Sequence, residues 1–211
     1  MRSVRIVTTT RADGDLAGDP RPEPALAGAP RPWTWLRQVH GDRVVVVSRP
    51  GEHAGVEADA AVTATPGCTL AVRTADCAPV VLRGAHAVAV AHLGWRGVLA
   101  GLVARTADAM RELGAAPVAA DLGPCIRSGC YEFDGPELDD LAARFGDGVR
   151  ATTDGGRPAL DLAAAVRVAL AEQGVTDVRD GGVCTACDER WFSHRVRQDT
   201  GRLATLAWIE R

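Results

Sequence analysis

The sequence predicts one α+β domain whose sheet-rich core is flanked by helices. Three observations support this fold class. A chain of 211 residues suits one domain of ordinary size. Short β-branched runs crowd the central third, and amphipathic helical patterns come mostly after them. The spacing of these elements is irregular, which favours a mixed α+β fold over a regular doubly wound sheet.

The strands are predicted from β-branched runs bounded by Gly, Pro or Asp. The predicted strands are Val4–Thr9, Arg43–Ser48, Ala60–Thr63, Thr69–Thr74, Pro79–Leu82, Ala85–His92, Val118–Leu122, Val175–Arg179 and Leu203–Ile209. Between the first two lies a segment from Asp13 to Pro32 with five prolines and three glycines. We therefore expect a single domain over residues 1–211, with a Pro/Gly-rich surface loop at 13–32.

Helices are predicted where apolar residues recur with helical spacing. One pattern runs through Leu99, Leu102, Val103, Thr106, Met110 and Leu113. Gly114 is placed to end this helix in a left-handed cap. A second helix is predicted over Leu162–Gln173, with Asp161 as its N-cap and Gly174 at its end. A third, weaker pattern covers Pro136–Phe145.

Composition excludes several classes of function. The formal net charge of −3 and a pI near 6.0 supply no basic field for nucleic acid. The first residues contain too short an apolar run for a signal peptide, and no stretch is long enough to span a bilayer. We expect a cytoplasmic protein without nucleic-acid or membrane partners, and no obligate protein partner is evident.

The chain contains six cysteines, which in a cytoplasmic protein indicate metal binding, catalysis or burial rather than disulfides. Cys184 and Cys187 form a Cys-x-x-Cys pair, and Cys125 and Cys130 form a second close pair. Neither pair has the context of a zinc ribbon or a thioredoxin. We expect buried, reduced thiols here, with a structural zinc site or a redox-active pair as the alternatives.

Three residues at the ends of apolar runs form a potential metal-ligand set. His40, Cys77 and His92 each stand where a run meets a glycine or a proline. Turns at strand ends can expose functional side chains on a rigid scaffold. Three N/S ligands with a fourth open position are typical of catalytic zinc. The intervals are too long for a local motif, so two hydrogen-bonded histidines and a buried thiol remain the alternative.

Cys77 also has an interpretation as a nucleophile with a histidine as its base. Asp76 would oppose a free thiolate if its charge lay close, whereas a bound cation would deprotonate the thiol. Neighbours on a strand point to opposite faces, which weakens this electrostatic argument. The local charge favours metal binding.

Two further segments are candidate anion sites. Gly94, Trp95, Arg96 and Gly97 lead from a predicted strand into a helix, where backbone N–H groups could hold phosphate beside Arg96. A close packing turn with a core Trp95 is the alternative interpretation. Ser193-His194-Arg195 offers another cation for an anion, or a surface segment. His53 and His86 are interpreted as ordinary loop and strand-end residues.

Several ordered motifs resemble the YfiH family, also called the laccase-domain or polyphenol oxidoreductase family. The resemblance runs from about Arg37 to the C-terminus. The motifs are Arg37-Gln-Val-His40-Gly, Ala58-Asp59 with Val62-Thr63, Thr74-Ala-Asp-Cys77-Ala-Pro79, Ala91-His92-Leu-Gly-Trp-Arg-Gly97, Gly123-Pro-Cys-Ile126 with Cys130-Tyr-Glu, and Cys184-Thr with Ser193-His-Arg195.

The resemblance implies that His40, Cys77 and His92 bind zinc, copper being the less favoured metal. It also implies a mixed β-sandwich with flanking helices, similar to the catalytic domain of cytotoxic necrotizing factor toxins. Members of the family are credited with phosphorolysis of adenosine, inosine and methylthioadenosine, and with deamination of adenosine. Editing of peptidoglycan precursors has also been assigned to the family.

The N-terminal segment departs from the family pattern. Members usually follow a Thr-Arg pair with Gly-Gly-x-Ser, whereas Thr10-Arg11 is followed here by Ala-Asp-Gly-Asp. His194 stands where an aromatic residue is usual. Arg11 matches the family arginine, and with Cys77 and Asp76 it makes up the predicted catalytic set.

The functional expectation is a zinc-dependent purine nucleoside phosphorylase with adenosine deaminase activity, whose substrates are a purine nucleoside and phosphate. Trp95, Arg96 and Arg195 are the predicted substrate and phosphate contacts. Multicopper chemistry is disfavoured because five histidines cannot supply both a blue-copper centre and a histidine-rich trinuclear cluster. Two alternatives stay open: a cysteine amidase or peptidoglycan-precursor editing enzyme using Cys77 with His92 as base, and a non-catalytic binding module that keeps zinc for structure.

Overall fold

The computed structural model describes residues 3–18 and 28–210, which form twelve strands and five α-helices. The strands are β1 (Val4–Thr8), β2 (Trp33–Trp35), β3 (Val44–Val46), β4 (Ala60–Thr63), β5 (Thr69–Thr74), β6 (Ala78–Gly84), β7 (Val88–Leu93), β8 (Pro117–Leu122), β9 (Arg150–Thr152), β10 (Pro158–Leu160), β11 (Asp177–Asp180) and β12 (Leu203–Ile209). The helices are α1 (Trp95–Leu99), α2 (Leu102–Glu112), α3 (Pro136–Phe145), α4 (Leu162–Glu172) and α5 (His194–Arg197).

The strands of the described ranges form two main sheets and a small ribbon. The smaller sheet has the order β1-β12-β5-β2, the larger one has the order β11-β8-β6-β7-β4-β3, and β9 pairs with β10. Three pairs are parallel, β2 with β5, β3 with β4 and β8 with β11, and the others are antiparallel. This arrangement confirms the α+β class and the mixed sheets.

The two main sheets pack face to face because their strands alternate between two apolar layers. In β5, Leu70 and Val72 point to the larger sheet, where they join Val81 and Val90 in one buried cluster. Ala71 points the other way, toward a layer on the outer face of the smaller sheet. Each large aliphatic side chain buried between the sheets contributes about 1.5–3 kcal/mol. The result is a sandwich with its central core between the sheets.

A second core lies between the larger sheet and the helices. Leu82 of β6 and Ala91 of β7 face Leu102, Met110 and Leu170, all fully buried. The apolar faces of α2 and α4 therefore cover the side of the sheet that faces away from the sandwich. No helix within residues 3–18 and 28–210 is long and apolar enough to cross a membrane.

Most predicted elements are confirmed, and several coincide at both ends. The strands Ala60–Thr63, Thr69–Thr74 and Leu203–Ile209 and the helix Pro136–Phe145 have the predicted bounds. At the start of α4, the Asp161 carboxylate accepts a hydrogen bond from the Ala164 N–H at 2.8 Å. Gly114 adopts a φ of 72°, the predicted left-handed conformation.

The other predicted elements differ in their bounds, and in two cases the reason is clear. The helix predicted around residues 99–113 is two helices, because Gly101 takes a φ of 85° and interrupts the hydrogen-bond series between α1 and α2. The strand predicted from Ala85 begins at Val88, because a turn closed by the hydrogen bond from Gly84 N–H to Ala87 O at 2.9 Å precedes it.

The short strands β2, β9 and β10 and the four-residue helix α5 are not evident from the sequence pattern. Each is too short to show a period, and each depends on partners that are distant in sequence. The central part of the predicted Pro/Gly-rich loop, residues 19–27, lies outside the described residues. Of its flanks, Leu16 and Ala29 pack against the outer layer of the smaller sheet.

Candidate functional site

His40, Cys77 and His92 lie together at one end of the sandwich. Their potential ligand atoms are all within 4.8 Å of one another. Nε2 of His40 is 3.7 Å from Sγ of Cys77, and the two imidazole rings meet edge to face at 4.7 Å. Since nitrogen and sulfur donors at this spacing suit a borderline-soft divalent ion, the three residues form a candidate metal site.

Strand pairing explains why residues far apart in sequence meet here. His92 belongs to β7 and pairs with Pro79 of β6, which brings Cys77, one residue before that strand, to the same sheet end. On its other side, β7 pairs with β4, and the His92 N–H donates to the Asp59 carbonyl at 2.8 Å. His40 lies four residues before β3, the neighbour of β4.

Asp59 organises two of the three candidate ligands. One carboxylate oxygen lies 2.8 Å from Nδ1 of His92, and the carboxylate accepts the N–H groups of Val39, His40 and Gly41 at 3.1, 2.9 and 2.8 Å. Burial opposes ionisation of Asp59, but the hydrogen bonds from His92, Gly41 and Val39 outweigh it and lower its pKa. With Nδ1 of His92 donating to Asp59, Nε2 is free to act as a ligand.

Asp59 was not among the functional residues predicted from the sequence. The available signal is its position, an acidic residue directly before the apolar strand Ala60–Thr63, where it is fully buried. A buried carboxylate requires partners. The sequence alone does not identify those partners, since they come from a loop and a strand that are distant in sequence.

Two non-glycine residues of the site have unusual backbone conformations. His40 has a φ of 60° and Asp76 a φ of 94°. Positive φ values cost energy for residues with a side chain and persist where surrounding contacts enforce them. At His40 the enforcing contact is the Asp59 carboxylate on its N–H, and at Asp76 it is a pair of bonds to its own carboxylate.

Asp76 is buried, and both of its carboxylate oxygens are engaged. The Thr185 hydroxyl donates to one oxygen at 2.6 Å, and the Arg195 N–H donates to the other at 2.6 Å. Asp76 lies between β5 and β6 rather than within a strand, so the alternation of strand side chains does not determine its direction. The carboxylate therefore ties the C-terminal segments around Thr185 and Arg195 to the loop that carries Cys77.

Gly94 allows the close approach of two candidate ligands. A Cβ atom added there would lie 2.9 Å from Cδ2 of His40 and 3.1 Å from Sγ of Cys77. The backbone of Gly94, with φ −80° and ψ 169°, is one that any residue can adopt. Glycine is therefore required at this position by the space available, not by its backbone angles.

The charges of the metal-free site form a thiolate–imidazolium pair. Burial disfavours the thiolate, but the charge of His92 and hydrogen bonding to His40 outweigh it and lower the pKa of Cys77 to about 6. Burial also disfavours the imidazolium, but the Cys77 charge and the bond to Asp59 raise the pKa of His92 to about 9. A thiolate at neutral pH suits both a metal ligand and a nucleophile.

The candidate metal site forms part of the wall of a cavity of about 560 Å³. Among the described residues, the arginines that line this cavity are Arg37, Arg73, Arg96, Arg195 and Arg202. Trp95 and Tyr131 supply aromatic surface, and the Arg195 guanidinium lies 5.2 Å from the centre of the Tyr131 ring. Burial, with the nearby Cys77 charge, raises the pKa of Tyr131 to about 12, so its hydroxyl stays protonated. The cavity thus combines aromatic rings with a strongly cationic lining.

Trp95, Arg96, Arg195 and His194 line this cavity, whereas Arg11 does not. In the described part of the chain, the Arg11 guanidinium pairs with Asp199, and its Nε donates to the Trp191 carbonyl at 3.1 Å. It also lies 4.5 Å from the centre of the Phe192 ring. These contacts direct the Arg11 guanidinium to residues 191–199 instead of the cavity, and its catalytic role stays a prediction.

Arg37, Arg73 and Arg202 were missed by the sequence analysis. They come from the segment after β2, from β5 and from the segment before β12, and only the packing of the smaller sheet against the loops brings them together. Isolated arginines on strands are common on protein surfaces, so no local pattern distinguishes these three. His86 agrees with its interpretation as an ordinary strand-end residue, since its Nε2 lies 3.2 Å from the Leu113 carbonyl.

The four cysteines that form two close pairs in the sequence differ in burial. Cys125 is buried, whereas Cys130 and Cys184 are partly exposed and Cys187 is exposed. The expectation of four buried thiols is therefore wrong for three of them, because they lie on loops at the edge of the molecule. Cys130, Cys184 and Cys187 form a second group of potential metal ligands within the described residues.

Comparison with known proteins finds one family and several close relatives. The family described as multi-copper polyphenol oxidoreductase laccase matches residues 22–210. A purine nucleoside phosphorylase of Mycobacterium tuberculosis is 37% identical over 235 residues, covering 98% of this chain and 92% of the relative. A purine nucleoside phosphorylase of Streptomyces coelicolor is 41% identical over 181 residues, covering 83% of this chain and 74% of the relative. The crystal structure of the Bacillus licheniformis hypothetical protein YfiH superposes with a TM-score of 0.75 at 28% identity, covering 84% of this chain and 74% of that one.

Proposed function

The chain belongs to the multi-copper polyphenol oxidoreductase laccase family, the YfiH family, and on that premise we propose that it is a zinc-dependent purine nucleoside phosphorylase. The observation that carries the proposal is the group of His40, Cys77 and His92 in the wall of a cationic cavity. The relatives named purine nucleoside phosphorylase support the substrate class. Adenosine, inosine and methylthioadenosine are the proposed nucleosides, with inorganic phosphate as the second substrate.

In this proposal His40, Cys77 and His92 hold the metal, each through one donor atom. The donors fit zinc, because a thiolate and two imidazole nitrogens are ligands that this ion prefers. When bound, the zinc would supply Lewis acidity toward a substrate oxygen. Asp59 accepts a hydrogen bond from Nδ1 of His92 and so orients the ring, which leaves Nε2 as the nitrogen that would bind the metal in place of its proton.

The cavity residues bind and orient the two substrates. In phosphorolysis a phosphate oxygen forms a bond to the anomeric carbon of the ribose, and the bond from that carbon to the purine nitrogen breaks. Guanidinium groups at Arg96, Arg195 and Arg202 neutralise and orient the phosphate. Trp95 offers a flat surface for the purine, and the protonated Tyr131 hydroxyl is a neutral hydrogen-bond donor in the same cavity.

Zinc is proposed over copper because of the histidine arrangement. Of the potential ligand groups found in the described residues, His40–Cys77–His92 has two histidines and Cys130–Cys184–Cys187 has none, so neither supplies a histidine-rich trinuclear cluster. A multicopper oxidase needs a histidine-rich trinuclear cluster in addition to a blue-copper centre. The proposal includes deamination of adenosine at the same site. There a water oxygen forms a bond to the purine C6, and the bond from C6 to the amino nitrogen breaks to release ammonia.

A cysteine amidase acting on an amide such as a peptidoglycan precursor is the second candidate. The specific observation in its favour is the depressed pKa of Cys77, about 6, beside an imidazolium at His92. In that mechanism the Cys77 thiolate forms a thioester with the acyl carbon, and His92 donates its proton to the departing amine. This activity would survive chelation of metal, whereas phosphorolysis would not.

The test is to incubate the full chain with adenosine, inosine and methylthioadenosine, with and without phosphate, and to measure products and bound metal. We expect a ribose 1-phosphate product only with phosphate. In His40→Ala, Cys77→Ala and His92→Ala we expect loss of activity together with loss of the zinc ion bound by these three residues. His86→Ala is the matched control, because this exposed histidine lies outside the cavity and its loss should change neither readout.

Each outcome selects among the candidates. No nucleoside conversion by a zinc-loaded sample would refute the phosphorylase. Stoichiometric alkylation of Cys77 that abolishes an amidase activity resistant to chelation would support the second candidate. A variant of a proposed ligand that bound as many zinc ions per chain as wild type would remove that residue from the ligand set.

A further inference from the structure

A second cluster of metal-ligating side chains lies outside the proposed nucleoside site. The thiols of Cys130, Cys184 and Cys187 have all their sulfur atoms within 4.8 Å of one another. Sγ of Cys130 is 3.0 Å from Sγ of Cys187. None of the three lines the cavity described above, so phosphorolysis leaves them without an assigned role.

The backbone around Cys184 is arranged to stabilise a thiolate. The Arg127 N–H donates to Sγ of Cys184 at 3.4 Å. The backbone N–H groups of Ala186 and Cys187 also hydrogen-bond to this sulfur. The Cys-x-x-Cys turn thus directs its own N–H groups at its first sulfur, as donors that would stabilise a thiolate ligand.

The loops that carry the three thiols are held in place by strong contacts. Arg127 makes a bidentate ion pair with Asp180 at 2.9 and 2.6 Å, and its Nε donates to the Val183 carbonyl at 3.2 Å. Thr185 donates its N–H to the Cys125 carbonyl at 3.1 Å. These contacts fix the segment before Cys130 against the segment that contains Cys184 and Cys187, so a ligand set is held in place before any ion binds.

Packing does not account for this cluster. Cys187 is exposed and Cys130 and Cys184 are partly exposed, unlike the buried thiol of Cys125. Three thiolates within 4.8 Å of one another would repel each other without a cation between them. A bound cation would remove that penalty, because it is attracted to all three sulfurs at once.

We propose that Cys130, Cys184 and Cys187 form a second metal site, in which three thiolates bind one zinc ion or a similar soft or borderline ion. Zinc–sulfur bonds of about 2.3 Å place tetrahedral sulfur ligands about 3.8 Å apart, which lies within the observed separations after a small opening of the Cys130–Cys187 contact. Because Cys187 is exposed, an ion bound here would be accessible to solvent on that side. Binding releases the thiol protons to solvent, and no oxidant or reductant is involved.

The site has a consequence for the cavity through one residue of the turn. Thr185 lies between Cys184 and Cys187, and its hydroxyl donates to Asp76, the neighbour of Cys77. A metal that fixes the turn therefore also fixes the position of Asp76 and of the Arg195 N–H bonded to it. The role of the second ion is structural, and its existence does not depend on the nucleoside activity.

The test compares ion binding by single-site variants of the full chain under reducing, oxygen-free conditions. Wild type should bind two zinc ions per chain, His40→Ala and Cys187→Ser one each, and the double variant none. With cobalt as the probe, His40→Ala should retain intense thiolate-to-cobalt charge-transfer absorption, whereas Cys187→Ser should lose most of it. The affinity of the second site should fall at least about 100-fold in Cys187→Ser. Cys68→Ser, which changes a buried cysteine outside both groups, is the matched control for thiol number.

A second measurement covers the case in which a variant does not fold. In the His40→Ala protein, zinc should protect Cys130, Cys184 and Cys187 together from alkylation, as read by peptide mass. An unchanged cobalt spectrum in Cys187→Ser would overturn the proposal, and so would alkylation of all three thiols in the presence of zinc. A Cys130–Cys187 disulfide that persists under reducing conditions would also overturn it. A chain with two ions and no nucleoside activity would refute the phosphorylase alone.

Discussion

At the scale of single residues, Asp59 connects the fold to the candidate chemistry. Its carboxylate bonds the ring of His92 and the backbone at Val39, His40 and Gly41. One buried charge therefore sets both the tautomer of one proposed ligand and the backbone position of another. Removing that charge should weaken metal binding without removing a ligand.

We predict that Asp59→Asn lowers zinc affinity about 10- to 100-fold, because an amide accepts less strongly from Nδ1 of His92. The measurement is a competition titration against a chromophoric chelator. Asp42→Asn is the matched control, since that half-exposed carboxylate pairs with Arg105 at 2.6 Å and touches no proposed ligand. Equal affinities for Asp59→Asn and wild type would show that Asp59 does not orient the site.

At the scale of secondary-structure elements, the turn from β7 into α1 determines whether the three proposed ligands can converge. Gly94 lies where a side chain would contact His40 and Cys77. Gly101, seven residues later, needs glycine for the opposite reason. A Cβ atom there would meet nothing within 4 Å, but the φ of 85° disfavours any residue with a side chain. Substitutions at Gly94 and Gly101 therefore separate the effect of a steric contact from the effect of backbone conformation.

We predict that Gly94→Ala reduces zinc affinity at least about tenfold, because the methyl group displaces His40 or Cys77 from its position. Gly101→Ala should leave zinc affinity unchanged while lowering the free energy of unfolding by about 1 kcal/mol. Zinc titration and urea unfolding of both variants provide the two measurements. The steric argument would fail if Gly94→Ala bound zinc as tightly as wild type.

At the scale of the whole molecule, the two-sheet sandwich and the loops beyond it are joined by partly buried ion pairs. Asp180, at the end of β11, accepts from Arg127 and from Arg167, the latter at 2.9 Å. Burial disfavours the charge, but the bonds from Arg127 and the Gly182 N–H outweigh it and lower the pKa of Asp180 to about 2. This carboxylate therefore contributes stability that is present above the unfolded pKa of about 4 and is lost as the pH falls through 2.

We predict that Asp180→Asn lowers the free energy of unfolding at pH 7 by about 2–3 kcal/mol, because it leaves Arg127 without its ion-pair partner. The difference from wild type should shrink when urea unfolding is repeated toward pH 2. Glu132→Gln is the control, since it breaks an exposed pair with Arg157 at 2.6 Å and should cost less than about 0.5 kcal/mol. A difference that stayed constant over this pH range would contradict the assigned role of the charge.

The sequence by itself determined the α+β class, most strands and helices, and three proposed ligands at strand ends. Those predictions are accessible because a strand's β-branched run and a helix's apolar period are local properties of the chain. Only the tertiary structure decided that Asp59 contacts His92, that five arginines share one cavity, that Arg11 lies apart from it and that Cys130 meets Cys184 and Cys187. The physical reason is that these contacts join residues up to 188 positions apart, whose approach depends on sheet order and packing rather than on any local pattern.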